Sequence, residues 1–389
     1  MAGNNNKMSK KRIAVLMNAF WTVSGGDQRA KQILKRISND FEIDCYVSRL
    51  AKSYLAKGTK GVDYVVSPDQ FNRGNVLRAY CRRSRWAGDE MLKCNYDLIY
   101  ATSDFFPDVW PATRYRQCHR KTRWVQVIHH IYTDWRRRPG NKLKNLLAQI
   151  LQQYSFRLIK KHADLIITVN NSVKMELITA GFDPGKIKVN PNGVDTKYFD
   201  RIKVKKVPLQ ACFLARLNLT KGIYDLVEIW AKVAESLPKV QLKIIGGGGE
   251  EIKRSLQNRI LARGLGKNIE ICGYLPDEKA YALLKSSQVF VFPSHEEGWG
   301  IAIAEAMACG VPVVAWNLPV YHSIFGSRIT AVKENDIDSF AQAVINLLTD
   351  NQQAKGFGDN GHNFTRRYSC DNLAVAEKRM ISRLIKCQR

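Results

Sequence analysis

Apolar residues along this chain fall into short runs separated by longer amphipathic stretches. Runs at 12–18, 41–47, 97–101, 124–128 and 163–169 are short enough for buried strands, and a second set follows at 209–215, 242–245, 269–275, 288–293 and 311–316. Between them lie helical patterns. The stretch 30–37 is amphipathic, and 141–161 carries apolar residues at Leu143, Leu146, Leu147, Ile150, Leu151, Tyr154 and Leu158, a stripe at helical spacing. Asn170-Asn171-Ser172 offers side-chain caps for a further helix through Leu177. Strands alternating with helices predict an α/β fold with doubly wound parallel sheets. A chain of 389 residues is long enough for two such domains of about 150 to 200 residues each.

Several strand ends carry glycine or charge where a helix follows. Gly25-Gly26 comes after the first strand and reads as a tight turn or as a close approach of backbone to a ligand. His129-His130 ends the strand at 124–128, at the carboxyl edge of a parallel sheet, where ligands of such folds bind. Arg216 and Lys221 lie between the strand at 209–215 and the helix expected from Tyr224, a place suited to a diphosphate. The strand at 242–245 runs into Gly246-Gly247-Gly248-Gly249, which lacks the Gly-Lys-Ser/Thr end of a P-loop. Asp336-Ile337-Asp338 precedes a helical pattern and is expected to cap it rather than to hold a metal.

The densest chemistry is in the stretch from Ser294 to Ala315. After the strand at 288–293 comes a loop with Glu297 and Gly298-Trp299-Gly300, then helix formers from Ile301 to a stop at Gly310 and Pro312. Free backbone N–H groups at such a helix start, from Gly298 to Ile301, favour an anion. Glu297 and Glu305 flank this site. If the eight steps between them were helical they would span about 12 Å, the order of a diphosphate bridge between two sugars. Glu305 lies among Ala304, Ala306, Met307 and Ala308, so its carboxylate needs a partner.

This stretch resembles the Glu-x7-Glu signature of retaining, nucleotide-sugar-dependent glycosyltransferases of family 4. The resemblance extends from about Ile13 to Gly326 and is most specific between Pro191 and Pro319. It implies the GT-B fold, two facing Rossmann-like domains with the active site in the interdomain cleft. Pro191-Asn192-Gly193-Val194-Asp195 resembles the family's hinge, which implies an acceptor-side domain over 1–192, a donor-side domain over 193–370, and a last helix within 371–389 that crosses back to the first. The resemblance further implies that Glu297 and His129 touch the transferred sugar, that Glu305 holds the ribose, and that Arg216 and Lys221 clamp the pyrophosphate. Gly25, Gly26, Gly247, Gly298, Trp299, Gly300 and Ile301 would line the donor, with Tyr274 and Leu275 at the end of the strand that lies against the nucleobase. The family's usual His-Asp is here His129-His130, a departure at the second position. No metal or other cofactor is implied.

Composition bounds the setting. No run approaches the ~18 apolar residues of a membrane span, and Met1 to Arg12 is polar and basic, so secretion is not expected. Nine scattered cysteines without a Cys-x-x-Cys pair indicate neither a disulfide framework nor a zinc site, which fits a reducing cytoplasmic compartment. The net charge of +26 is the outlier and predicts an acidic partner or substrate. From Arg114 to Lys161 there are thirteen Lys and Arg residues against the single acid Asp134, interleaved with Trp135 and the 143–158 stripe. That pattern is expected to bring the chain to an anionic membrane surface at its inner face, with a glycan or lipid-linked acceptor; the other reading is that the stripe faces the domain core. Two alternatives weigh against glycosyl transfer. A sugar-nucleotide epimerase of the same fold needs acid and base groups on both ring faces, and a nucleic-acid-binding protein would leave the phosphate and sugar residues without purpose.

Overall fold

The computed structural model of the protein describes residues 10–19, 24–72, 75–132, 134–138 and 140–386. The chain divides into two compact units, Met1–Pro191 with Asp371–Arg389, and Asn192–Cys370.

In the first unit, β1 (Arg12–Met17), β2 (Glu42–Val47), β3 (Val62–Val66), β4 (Leu98–Ala101), β5 (Arg123–Ile128), β6 (Leu165–Thr168) and β7 (Ile187–Val189) form one parallel sheet in the order β3-β2-β1-β4-β5-β6-β7. Apart from Arg12, Arg123 and Gln126, the central strands β1, β4 and β5 are apolar because both faces are covered. Along β1, Ile13, Val15 and Met17 pack with Ile33, Leu34 and Ile37 of the Gly25–Ile37 helix, while Ala14 and Leu16 enter a second cluster with Val109, Tyr115, Phe156 and Ile159. Strand order reverses between β1 and β4, so the loops after these two strands diverge to opposite faces and leave a crevice at the carboxyl edge.

The second unit repeats the plan. β8 (Gln210–Leu214), β9 (Gln241–Ile245), β10 (Ile269–Gly273), β11 (Val289–Phe292), β12 (Val313–Trp316) and β13 (Thr330–Val332) form a parallel sheet in the order β10-β9-β8-β11-β12-β13, with the reversal between β8 and β11. Asp336 caps the Ile337–Thr349 helix, accepting from Ser339 N at 3.0 Å, and Asp338 pairs with Lys232 at 2.6 Å, so the Asp-x-Asp motif is engaged in helix capping and an ion pair.

The expected strands are present, with ends moved by no more than two residues, and the fold is α/β with two Rossmann-like, doubly wound sheets. One element departs from expectation. Gly25 and Gly26 do not form a turn: they open the Gly25–Ile37 helix, where Ser24 and Asp27 form a reciprocal capping box. Trp21, Thr22 and Val23, which precede them, lie outside the described residues, as does Cys387. The Lys142–His162 helix buries Gln152, Ser155, Phe156 and Ile159, so most of its apolar stripe does not face the core.

From Asp371 onward the Cys370–Lys386 helix belongs to the first unit, where Ala374, Ile381 and Ile385 join the core beside the Gly25–Ile37 helix. Its Glu377 is fully buried and ion-paired with the equally buried Arg29. Tyr100 donates its hydroxyl to the same carboxylate, and Asn190 Nδ2 donates at 2.6 Å. The buried charges are held by their own attraction and by four donors on the Glu377 carboxylate, two from Arg29 and one each from Tyr100 and Asn190, while Arg29 Nε has no hydrogen-bond partner among the described residues. No described helix is long and apolar enough to cross a membrane. Glu377→Ala strands the buried guanidinium and should lower the stability of the first unit by roughly 3–5 kcal/mol, read as a shifted urea transition. Arg29→Met with Glu377→Leu, which removes both charges, should recover much of that loss, and equal destabilisation by the double variant would show that packing rather than charge governs the site.

Candidate functional site

At the reversal between β8 and β11 two loops of the second unit meet. After β8 the chain runs through Arg216 and a 3-10 turn, Leu219–Lys221, whose start is capped by Asn218 Oδ1 accepting from Lys221 N at 3.1 Å. Gly222 follows with φ +66°, and a Cβ there would lie 1.8 Å from the carbonyl oxygen of Pro293. Only glycine permits this approach. The loop after β11 is fastened to the same turn, with His295 N donating to Thr220 O at 2.8 Å and Ser294 Oγ donating to it at 3.2 Å.

Lys221 and Glu297 meet across this seam. Lys221 Nζ donates to Glu297 Oε1 at 2.6 Å and to Glu296 O at 3.0 Å, and Ser294 Oγ reaches Glu297 Oε1 at 3.3 Å. Both side chains keep partial access to solvent, so a ligand can compete for them. Arg216 is exposed on the first of the two loops.

His295 was not singled out in the sequence, yet it braces the seam. Its Nε2 lies 2.9 Å from Asp225 and its Nδ1 2.5 Å from Glu334. The hydrogen bond to Asp225, joined by that to Glu334 and opposed by burial, pushes the imidazole up to about 9, so it is a cation with both N–H groups engaged. Trp316 Nε1 donates to the same Asp225 at 3.2 Å.

Beyond Glu297 the helix begins only at Ile301, after Gly300 at φ +96°. The two glutamates are therefore not on one continuous helix, and the 12 Å estimate does not apply. Gly298 and Ile301 are partly exposed, but the Trp299 indole is buried against Phe325 and Tyr368. Its expected contact with a donor can come only from its backbone. Glu305 is buried and accepts from Tyr281 Oη at 2.7 Å, the partner its apolar surroundings demand. Burial pushes its carboxyl up to about 7 while that hydrogen bond pulls the other way.

The ends of β8, β9 and β10 are laced by Leu217 N donating to Gly247 O and Gly246 N donating to Gly273 O, each at 2.8 Å. Gly247, Tyr274 and Leu275 consequently sit on loops beside that of Arg216, with Tyr274 exposed.

In the first unit, His129 lies beneath the Gly25–Ile37 helix, where a Cβ on Gly26 would come 2.9 Å from its Nε2. Nε2 is 3.0 Å from the Thr102 carbonyl. Burial, reinforced by Arg29, pushes this imidazole down to about 3, so it is neutral. A neutral ring facing a carbonyl carries its proton on Nε2 and leaves Nδ1 an acceptor. Gly25 is exposed at the helix start. The ring of His130 meets Tyr132 edge-on at 5.1 Å, and its carbonyl accepts from Gln152. Asp108, another residue without a sequence signal, accepts from Asn18 N at 2.6 Å and Ser103 Oγ at 2.6 Å and so ties the loop after β1 to that after β4. Burial lifts its carboxyl to about 7. Among the described residues no group of three or more His, Cys, Asp or Glu side chains could hold a metal ion.

Two family profiles match the chain, Glycosyltransferase Family 4 over residues 23–198 and Glycosyl transferases group 1 over 194–364. An uncharacterised glycosyltransferase of Methanocaldococcus jannaschii is 22% identical over 306 residues, 76% of this chain and 77% of that protein. The O-antigen chain mannosyltransferase B of Escherichia coli is 23% identical over 308 residues, covering 76% and 75%. Among solved structures, Anabaena HepE in complex with UDP and glucose superposes with a TM-score of 0.76 at 18% identity, over 96% of this chain and 99% of that one. The two profiles meet where the first unit passes to the second, one matched to each sheet, and the chain is a glycosyltransferase family 4-like protein of the GT-B fold.

Proposed function

We propose that the protein transfers a glycosyl group from a nucleotide-diphosphate sugar to a glycan or lipid-linked acceptor, with retention at the anomeric carbon. The observation that carries this reading is the Lys221–Glu297 pair, a cation and a carboxylate held 2.6 Å apart on the two loops at the strand reversal of the second sheet. The structural relative with UDP and glucose supports a nucleotide-sugar donor, and the mannosyltransferase relative supports an envelope glycan.

In this reading the bond from the anomeric carbon to the diphosphate oxygen breaks and one to an acceptor hydroxyl oxygen forms. Negative charge grows on the leaving phosphate, where Arg216, Lys221 and the N–H groups of Gly298 to Ile301 stabilise it. When the diphosphate draws Lys221 away, Glu297 is freed to hold sugar hydroxyls and favour the cationic ring. Glu305 takes the ribose hydroxyls, and the loops of Gly247, Tyr274 and Leu275 the base. In the first unit, Gly25 and Gly26 offer a helix start and the neutral His129 a hydrogen-bonding rather than a charged group. The acceptor proton passes to the departing phosphate. Retention rests on the family signature and is read directly from the anomeric coupling constant of the product by proton NMR.

Glu297→Gln should reduce turnover far more than affinity for uridine diphosphate, while Glu305→Ala should weaken nucleotide affinity; calorimetric titration and initial rates separate the two, and near wild-type turnover by Glu297→Gln would remove the site. Arg216→Ala and Lys221→Ala should each cost about 1.5–3 kcal/mol in diphosphate affinity, with the double variant losing less than the sum because both act on one group. Turnover should continue in EDTA, since these cations supply the charge; loss restored by added magnesium would overturn that part.

Stability against pH checks the Glu305 environment. Its folded value of about 7 stands above the ordinary 4.5, so its contribution is fully present below pH 4.5 and is lost as pH rises through 7. Glu305→Gln, which keeps an acceptor for Tyr281, should flatten this loss, and its melting temperature relative to wild type should be higher at pH 8 than at pH 5. An unchanged difference would show that the carboxylate is not held in an apolar site.

A further inference from the structure

The Lys142–His162 helix presents an outward stripe that its own domain does not use. Leu143, Leu147 and Ile150 are 75%, 36% and 55% exposed, and Tyr154 is 44% exposed. Their spacing of four, three and four residues sets them on one line about 16 Å long. The same line continues through Arg157 and Lys161, both exposed. Three large aliphatic side chains aligned in water cost free energy that the domain core does not recover, which marks an interaction face.

The surroundings of the stripe are cationic and held in place. The turn carrying Arg136, Arg137 and Arg138 is fastened to the helix start by Lys142 Nζ, which donates to Arg136 O at 2.7 Å and Arg138 O at 3.0 Å. Trp135 N donates to Gln149 Oε1 at 3.0 Å, so the turn lies along the helix. Not every cation in this part of the sequence takes part. Arg114 pairs with Asp89, and Arg116 and Arg123 pair with Asp164. At the other end of the stripe, Tyr154 meets Phe106, and Phe105, itself 38% exposed, meets Tyr132 beside His130. The apolar line thus runs up to the carboxyl edge of the first sheet.

We infer that this face docks on a bilayer containing anionic lipid, with Leu143, Leu147 and Ile150 entering the headgroup boundary and Arg137, Lys144, Arg157 and Lys161 meeting the phosphates. The combination selects that partner. A nucleic acid would satisfy the cations and leave the aliphatic line in water, and a second copy of the chain would set cation against cation. A lipid surface takes both, with aromatic side chains at its edge. The inference deepens the glycosyl-transfer reading by placing its acceptor, and it rests on that reading only for this consequence. Its test reads binding without turnover, so the two fail separately.

The test is co-sedimentation of the full chain with vesicles of phosphatidylcholine, alone or mixed with phosphatidylglycerol. Wild type should pellet with the mixed vesicles, be released as salt rises, and stay in solution with phosphatidylcholine alone. Leu143→Ser, Leu147→Ser and Ile150→Ser combined should lower binding about tenfold or more with an unchanged melting temperature, since these side chains are exposed. Arg137→Gln, Lys144→Gln, Arg157→Gln and Lys161→Gln combined should lower it at least about tenfold. Removing four exposed cations of the second unit, Lys203, Lys205, Arg254 and Lys267, should leave it unchanged. Equal pelleting with both vesicle types, wild-type binding by the serine variant, or an equal loss on removing the second-unit cations would each overturn the proposal. Capture of RNA or DNA oligonucleotides without vesicle binding would overturn it in favour of a nucleic acid partner.

Discussion

The arrangement of the second unit depends on a backbone contact, the passage of Gly222 against the carbonyl of Pro293. A parallel sheet whose order reverses sends the two neighbouring loops to opposite faces, and left alone they would diverge. Here glycine lets one loop settle on the other, and the backbone bonds from His295 and the hydroxyl of Ser294 to Thr220 O close the seam. The Lys221–Glu297 contact is then largely a property of the backbone. A lysine on a free loop loses rotamer freedom each time it engages a ligand, whereas one held at a seam has lost much of it on folding. The doubly bonded His295 imidazolium serves the same end by joining the seam to the helix that carries Asp225 and to the Glu334 loop.

The sheets were legible in the sequence because parallel strands covered on both faces must be nearly continuous apolar runs, and these are short, bounded and hard to mistake. The Phe106–Cys118 helix was not legible. It is buried on several sides and contains Pro111, which reads as a breaker. Gly25 and Gly26 misled in the opposite direction, although Ser24 and Asp27 three positions apart carried the capping signature that starts the helix.

Of the candidate site, the residues placed by chain adjacency were the ones that could be found. Arg216, Lys221 and Glu297 lie on loops between recognisable strands and helices. What could not be found was whatever depends on contact between distant residues: the Tyr281 hydroxyl on Glu305, the Asp108 carboxylate joining two loops, and the carboxylates on either side of His295. Adjacency was also silent on orientation, since Trp299 stands beside Gly298 and Gly300 yet turns its ring into the core. Charge behaves in the same way. Composition counts Arg116 and Arg123 with Arg137, and only the fold reveals that the first two share the single carboxylate of Asp164.

The Arg29–Glu377 pair joins residues 348 positions apart in the chain. During synthesis, Arg29 leaves the ribosome long before its counterion exists, and the whole second unit is made in the interval. Asn192–Cys370 is continuous and can close its sheet as soon as it emerges, but the first unit must wait with a guanidinium that has no carboxylate and a face of its core that lacks Ala374, Ile381 and Ile385. The usual order of a two-domain chain, first part first, is thereby reversed: the domain begun earliest is the last to be finished.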